Sequence, residues 1–214
     1  RNTLLASQAL FDKRGRFRGI NYPTPGLNVC PSGYVNLISP STAITFLSRV
    51  RIYPEITRER DGWPIAIQAV SKYLDEKPKL QNRILTIGDI SVPLDQFNDL
   101  YIDFSSIPKG YRFLHESAGI TAADFLDISN SEANFIIELE AWVQDKIVII
   151  GETSELSHDW FDSPVGMLFG SEIIADTINT LLKNSPLRPV SLFVEVMISF
   201  LLLSSMILCA CLIL

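Results

Sequence analysis

Residues that bind metals or form disulfides are scarce in this sequence. It has three cysteines and two histidines among 214 residues. Cys30 is the one cysteine of the polar part, whereas Cys209 and Cys211 lie in the apolar C-terminal stretch. A disulfide framework needs several cysteines that can pair, and a structural zinc site needs about four cysteine or histidine ligands. We therefore predict neither a disulfide-stapled fold nor a metal site.

Positive charge is also in short supply. The formal net charge is −6 and the isoelectric point is about 4.9, whereas nucleic-acid surfaces need clustered lysine and arginine. The single basic stretch runs from Lys13 to Arg18, and a solvated loop or a broken terminal segment explains it better than a lipid or nucleic-acid patch does. Nucleic acid is therefore not an expected partner.

Signatures of common catalytic and nucleotide-binding sites are missing as well. The sequence contains no G-x-S-x-G elbow, no H-E-x-x-H helix, no P-loop and no G-x-G-x-x-G turn. His158 stands beside Asp159, but no nucleophile is marked by its context. We predict that the chain is not an enzyme and uses no cofactor.

Long apolar runs are absent until the C-terminus. Val190–Leu214 carries one charged residue, Glu195, and accounts for the positive mean hydropathy of +0.23. About 20 apolar residues are enough to cross a bilayer, so residues 186–214 are predicted to form a transmembrane helix. Residues 1–185 are predicted to form a water-soluble domain, which we expect to lack its N-terminal segment because Arg1 is preceded by no Met or signal peptide.

Strand and helix patterns alternate through the polar part, which predicts an α/β domain with a mixed β-sheet and flanking helices. Alternating apolar residues on either side of a turn at Asp95, Asn98 and Asp99 predict a β-hairpin or meander over Ile84–Phe104. The β-branched run Ile147–Ile150 is typical of a strand buried on both faces at the centre of a sheet. Other predicted elements are a possible short helix over Thr3–Leu10, strands over Tyr34–Ile38 and Phe46–Tyr53, a helix opened by Trp63 and Pro64, a helix with an apolar stripe from Phe135 to Val143, and a last helix over Ser171–Lys183 with Glu172, Asp176 and Asn179 on its polar face.

The loop that follows the Ile147–Ile150 run is the candidate ligand site, because ligands of open α/β sheets gather beyond the carboxyl ends of strands. Its carboxylates could also serve to cap turns, with Trp160 and Phe161 anchoring the loop on the core. Glu172 could likewise be a stabiliser of the first helical turn, where negative charge is favoured. The residues predicted to bind a ligand are Gly151, Glu152, Thr153, Asp159, Asp162 and Glu172.

Three stretches of the sequence carry a family resemblance. They are Asp145–Gly151, Asp159–Pro164 and Gly170–Leu182, and in this order they resemble the CHASE-family type 2 extracellular sensory domain. Weaker similarity continues back to Gly33. The sequence departs from the family pattern at Phe169, where the family has Pro, at Ile174, where it has His, and at Ser163, where it has Thr.

This resemblance implies the later part of an extracytoplasmic sensory domain that is followed by membrane helices and a cytoplasmic output module such as a kinase or cyclase. It implies a small-molecule or protein ligand of unknown identity, a membrane bilayer and a second copy of the chain as partners. Lys183 and Arg188 precede the predicted membrane helix and weakly favour the opposite orientation. The alternative function is an extracytoplasmic scaffold or assembly subunit of a membrane protein complex.

Overall fold

The computed structural model describes residues 3–14, 16–22, 30–36, 49–114, 116, 119–129, 140, 143–154, 156, 159–184, 186–187 and 190–213. Over these residues the chain is a mixed α/β structure with several small sheets. The strands are β1 (Leu5–Phe11), β2 (Phe17–Asn21), β3 (Ser32–Tyr34), β4 (Arg49–Arg51), β5 (Lys79–Gln81), β6 (Ile84–Ile87), β7 (Ile90–Pro93), β8 (Asp99–Tyr101), β9 (Trp160–Ser163) and β10 (Gly166–Phe169). The helices are α1 (Ile65–Leu74), α2 (Ala122–Ser129), α3 (Gly170–Leu182) and α4 (Leu192–Ile213), with a 3₁₀ turn at Phe104–Ser106.

The α/β class is confirmed, but the described strands do not form one mixed sheet. They form two three-stranded sheets, β2-β1-β3 and β5-β6-β7, and two two-stranded ladders, β4-β8 and β9-β10. All pairs are antiparallel except β1 with β3, where Leu5 lies opposite Ser32. The meander predicted over Ile84–Phe104 is present only in part. A hairpin forms between β6 and β7, but the predicted turn at Asp95, Asn98 and Asp99 does not pair β7 with β8, because β8 pairs with β4.

The N-terminal segment is a strand, so the helix considered for Thr3–Leu10 is wrong. Burial in β1 alternates, with Ser7 and Ala9 buried and their neighbours Gln8 and Leu10 exposed. This period of two is that of a strand that covers a core with one face. Pairing with β2 and β3 makes this segment a strand.

Helices α1 and α3 pack against each other over the main core. Pro64 precedes α1, and Asp75 ends it in the left-handed conformation at φ 55°. Ile67 and Val70 of α1 and Leu181 of α3 are fully buried in the main core with the β6 and β7 side chains. Both helices were predicted at these places. A second cluster lies where β10 and the start of α3 meet Ile102, Phe104 and Phe113.

A buried ion pair holds the β4-β8 ladder. The Arg51 guanidinium donates to both carboxylate oxygens of Asp99, at 2.7 and 2.9 Å. Asp99 is fully buried, and Arg49 lies 3.6 Å from the same carboxylate. The hydrogen bonds to Asp99 raise the pKa of Arg51 further above its ordinary value. Such a pair is expensive to break because removal of one partner leaves a buried charge.

The predicted central strand Ile147–Ile150 is wrong in this structure. The segment belongs to neither a strand nor a helix, although it alternates between half-buried and exposed residues as an extended chain does. Ile147 and Ile149 pack on the main core, while Val148 and Ile150 are exposed. The physical reason is that the core covers only one face of this segment, where a central strand would be covered on both.

The C-terminal apolar stretch forms α4, a helix of 22 residues. Its large apolar side chains are exposed wherever the structure describes them. No helix within the described residues combines the length and hydropathy needed to cross a membrane. The predicted transmembrane helix is therefore not confirmed.

The connection from α3 to α4 is fastened to two strands. The Ser91 N–H of β7 donates to Asn184 Oδ1 at 3.4 Å, and Asn184 takes a left-handed backbone with φ 48°. Leu187 forms an antiparallel bridge with Tyr101 of β8. The segment that precedes α4 thus contacts the α/β domain at two points. Residues 37–48 of the predicted strands lie outside the described residues. So does the predicted helix from Phe135 to Val143, apart from Glu140 and Val143, which are helical.

Candidate functional site

Three of the six predicted site residues, Gly151, Asp159 and Glu172, lie at the N-terminus of α3. Gly151 packs directly on Ser171, and a Cβ at residue 151 would collide with the Ser171 side chain. The close approach requires glycine at this position. The loop that begins at Gly151 therefore starts at the first turn of α3, although no strand leads into it.

Asp159 reaches the same helix end from the other side of the loop. The Gly170 N–H donates to the Asp159 backbone carbonyl at 2.9 Å. A Cβ on Gly170 would lie 2.7 Å from both oxygens of the Asp159 carboxylate, so the carboxylate lies against the first residue of α3. Negative charge is favoured at this end of a helix because of the free N–H groups and the helix dipole.

Glu172 is a buried residue of the first turn of α3. Its Oε2 accepts a hydrogen bond of 2.8 Å from the Phe169 N–H. A glutamate at the third helical position that bonds back to the residue before the helix is one half of a capping box. This hydrogen bond supports the alternative in which Glu172 stabilises the first turn of α3. Glu172 therefore lies at the edge of the candidate site.

Two negatively charged side chains, Glu152 and Asp159, lie near each other at this site. Partial burial raises the pKa of Asp159, and the negative charge of Glu152 raises it further. Because Glu152 and Asp159 repel each other, a cation or a hydrogen-bond donor placed between them would be favoured. The described residues contain no group of three or more histidine, cysteine, aspartate or glutamate side chains that could hold a metal ion.

Two predicted site residues are not brought into this contact. Thr153 is exposed in the loop, and no described contact joins it to α3. Asp162 lies on β9 opposite Met167 with its side chain exposed, so it belongs to the strand surface and not to the helix end. Glu155 and His158, which also lie in this loop, are outside the described residues.

A carboxylate that the sequence placed on the polar face of α3 is in fact buried. Asp176 is fully buried, and the Ser106 hydroxyl donates a short hydrogen bond to its Oδ1. Its Oδ2 has no hydrogen-bond partner among the described residues. The 3₁₀ turn at Phe104–Ser106 covers it and is itself fixed by a hydrogen bond of 2.9 Å from the Asp103 N–H to Thr180 Oγ1.

Burial raises the pKa of Asp176 to about 6. The hydrogen bond from Ser106 opposes this rise, the charges of Glu172 and Asp103 add to it, and Lys183 lowers it. Sequence reasoning missed this group because the helical pattern alone puts Asp176 beside Glu172 and Asn179 on a solvent face. Asp176 is buried because the Asp103–Ser106 turn docks on α3. No local sequence pattern reveals that docking, so the sequence offers no signal for the burial of Asp176.

The enclosed cavity beside α1 and α3 is too small to serve as a ligand pocket. It has a volume of about 10 Å³, and its lining includes Tyr34, Pro64, Ile174 and Thr177. That volume suffices for one water molecule at most. The cavity is separate from the Gly151 loop, whose exposed carboxylates form an open surface at the helix end.

Comparison with known proteins gives one match. A family model described as CHASE2 domain matches residues 34–214 of the chain. No curated protein and no solved structure matches. The match covers the core elements from β3 onward and the whole candidate site.

Proposed function

Because the chain belongs to the CHASE2 family of sensory domains, we propose that it is the extracytoplasmic input domain of a membrane-bound signalling receptor. In this proposal a ligand binds at the N-terminus of α3 and the signal passes through α4 to a cytoplasmic output module. The observation that carries the proposal is the meeting of Gly151, Asp159 and Glu172 at the start of the helix that leads to α4. The domain acts by binding, without catalysis and without a cofactor.

The chemistry of the site favours a ligand that brings positive charge or hydrogen-bond donors. Glu152 and Asp159 are exposed and repel each other, and this repulsion adds to the effect of partial burial in raising the pKa of Asp159. A cationic group would relieve that repulsion, and it would also be compatible with the carbonyl oxygens of the loop. Ligand binding would then pull the loop and the first turn of α3 together.

The relay to the membrane uses the short connection after α3. Fixed contacts from Ser91 to Asn184 and from Tyr101 to Leu187 support a tight mechanical coupling of the domain to α4. We infer that α4 inserts its exposed apolar side chains into a lipid bilayer, with Glu195 near the outer interface, where a charge is less costly than at the bilayer centre. A small shift between two packings of α3 would suffice as a signal. The receptor works as a homodimer in this proposal.

A scaffold that binds another membrane protein is the second candidate. It is favoured by the contacts that already occupy the α3 N-terminus, since the hydrogen bond from Phe169 to Glu172 stabilises the helix without any ligand. The exposed side chains of α4 would then pack against a partner protein and not against lipid. The two candidates differ in whether the loop carboxylates affect an output signal.

The experiment replaces Asp159 by Asn in the full-length receptor and measures signalling output together with the melting temperature. Loss of the charge at the helix end is expected to reduce the response several-fold. The melting temperature should change little, because burial and repulsion from Glu152, which raise the pKa of Asp159, oppose the favourable contact of its charge with the helix dipole. Asp89→Asn is the matched control, because Asp89 is an exposed aspartate in the β6-β7 turn. Normal signalling by a folded Asp159→Asn receptor would contradict the sensory site and favour the scaffold.

A further inference from the structure

The basic residues that the sequence groups together lie at the end of the β1-β2 hairpin. Lys13 and Arg14 are in the turn, and Arg16 and Arg18 lie on either side of Phe17, the first residue of β2. All four basic side chains are exposed. Because the whole chain has a net charge of −6, this hairpin end is a positive surface on an acidic protein.

A single carboxylate organises this surface. Asp12 Oδ1 accepts hydrogen bonds from the backbone N–H groups of Arg14 and Arg16, at 2.8 and 2.9 Å. Asp12 Oδ2 accepts from the side chains, at 2.9 Å from Arg16 Nε and 3.1 Å from Arg18 Nη2. The hydrogen bond from the Arg16 N–H is the largest cause that lowers the pKa of Asp12. One carboxylate oxygen thus fixes the turn, and the other holds two guanidinium groups beside each other.

Aromatic packing holds the backbone beneath the two arginines. Phe11 and Phe17 meet edge to face with ring centroids 6.1 Å apart, and Phe11 lies 4.5 Å from Tyr53. All three rings pack on a small buried core. The Asp12 N–H also closes the turn by donating to the Arg16 carbonyl at 2.9 Å. A group that is already ordered loses less entropy when it binds a ligand.

The outer sides of the two guanidinium groups face solvent. The Arg16 side chain is 64% exposed and that of Arg18 is 62% exposed, although both donate to Asp12. Each guanidinium has further N–H donors, and the planar arrangement of these donors matches two oxygens of a phosphate group. Four cations and one carboxylate leave residues 12–18 with a net charge of +3.

We propose that Arg16 and Arg18, oriented by Asp12, form a binding site for a phosphate group, carried by a lipid headgroup or by a soluble molecule. Lys13 and Arg14 add attraction for the anion from the turn. The site is separate from the α3 N-terminus, and it lies outside the residues 34–214 that match the family model. It does not depend on the sensory role of the Gly151 loop.

The test is an NMR titration of the full chain with inorganic phosphate, in a neutral detergent and at constant ionic strength. The amide signals of the hairpin are expected to shift saturably. Arg16→Gln with Arg18→Gln should raise the Kd about tenfold or more, because hydrogen bonds between charged groups are lost. Arg58→Gln with Lys77→Gln is the matched control, since it removes two exposed cations elsewhere and should leave the Kd unchanged.

Asp12→Asn separates an organised site from general attraction between charges. The Asn Oδ1 can still accept from the Arg14 and Arg16 N–H groups, but its amide nitrogen cannot accept from the two guanidinium groups. The variant therefore keeps the turn, gains positive charge and loses the orientation of the arginines. We expect a several-fold higher Kd for phosphate, whereas attraction by net charge alone predicts a lower one. Cross-strand contacts between β1 and β2 in the NMR spectra show that the hairpin is folded.

The source of the phosphate is distinguished by a second titrant. Phosphatidic acid is added to the detergent micelles, with diacylglycerol as the lipid that lacks phosphate. A lower Kd for phosphatidic acid than for inorganic phosphate assigns the site to a lipid headgroup, and an equal Kd assigns it to a soluble phosphate. The site is overturned if neither titrant shifts the hairpin signals saturably, if diacylglycerol shifts them equally, if the double arginine variant keeps the native Kd, or if Asp12→Asn binds phosphate as tightly as the native chain or more tightly.

Discussion

The buried carboxyl group of Asp176 should make the stability of this domain depend on pH. Its pKa rises from the ordinary 3.8 to about 6 in the folded chain. A tenfold change in proton affinity is worth about 1.4 kcal/mol, so the difference corresponds to about 3 kcal/mol. The folded state retains a proton that the unfolded state releases between pH 3.8 and about 6. The contribution of Asp176 to the free energy of unfolding therefore falls as pH rises through this window and stays low above it.

Replacement of Asp176 by Asn removes the charge with almost no change in shape. The amide oxygen can still accept the hydrogen bond from Ser106, but the amide nitrogen takes the place of an oxygen that lacks a partner among the described residues. An unsatisfied buried donor costs about 1–3 kcal/mol. We expect Asp176→Asn to be less stable than the native chain at pH 4 and equally or more stable at pH 8.

The decisive quantity is the change between the two pH values. The stability of Asp176→Asn relative to the native chain should increase by about 2–3 kcal/mol between pH 4 and pH 8, because pH 4 already lies just above the unfolded-state pKa of 3.8. Urea unfolding at both pH values measures it, with Asp89→Asn as the exposed control that leaves the native pH dependence unchanged. Equal pH dependence in the native chain and in Asp176→Asn would refute the burial argument, whatever the absolute stability of the variant.

Two further predictions follow from contacts in the fold and the proposed topology. Asp99→Ala should lower the free energy of unfolding by about 2–4 kcal/mol, because Arg51 loses both hydrogen bonds and remains partly buried. Chemical denaturation measures this loss. A change below about 1 kcal/mol would show that water screens the charges of the pair. Cys30 is partly exposed, so a membrane-impermeant thiol reagent should label it in intact cells if the domain is extracytoplasmic; labelling only after the inner membrane is permeabilised would reverse the proposed topology.

Local sequence patterns correctly predicted the elements whose apolar residues recur at the spacing of one strand face or one helix face. The alternation of Ile90 and Val92 predicted strand β7, and the helical spacing of Ile173, Ile178 and Leu181 predicted α3. Such elements carry their own burial signal, because one face meets the core and the other meets water. Helix α3 brings together Gly151, Asp159 and Glu172, three of the six residues that were predicted to form one site.

The remaining features depend on contacts that local patterns do not encode. The run Ile147–Ile150 has the composition of a central strand. Whether a segment pairs as a strand depends on segments distant in sequence, so composition alone predicted the wrong structure for this run. The helical spacing puts Asp176 on the same face as Glu172 and Asn179, which predicts that it is exposed. It is buried because the Asp103–Ser106 turn docks on this face. Asp162 is separated from Asp159 by the strand geometry of β9, which turns its side chain to the outside.

The two anchors of the α3-α4 connection have a consequence for how force would reach α4. Only residues 185 and 186 lie between the Asn184 contact with β7 and the Leu187 bridge with β8. So short a tether has few conformations available, and it cannot absorb a displacement by changing its end-to-end distance. If the β5-β6-β7 sheet moves relative to the β4-β8 ladder, the connection cannot stretch to follow. It would instead rotate about the line that joins Asn184 to Leu187. In the proposed relay, α4 would then respond to the angle between the two sheets as well as to a shift of α3.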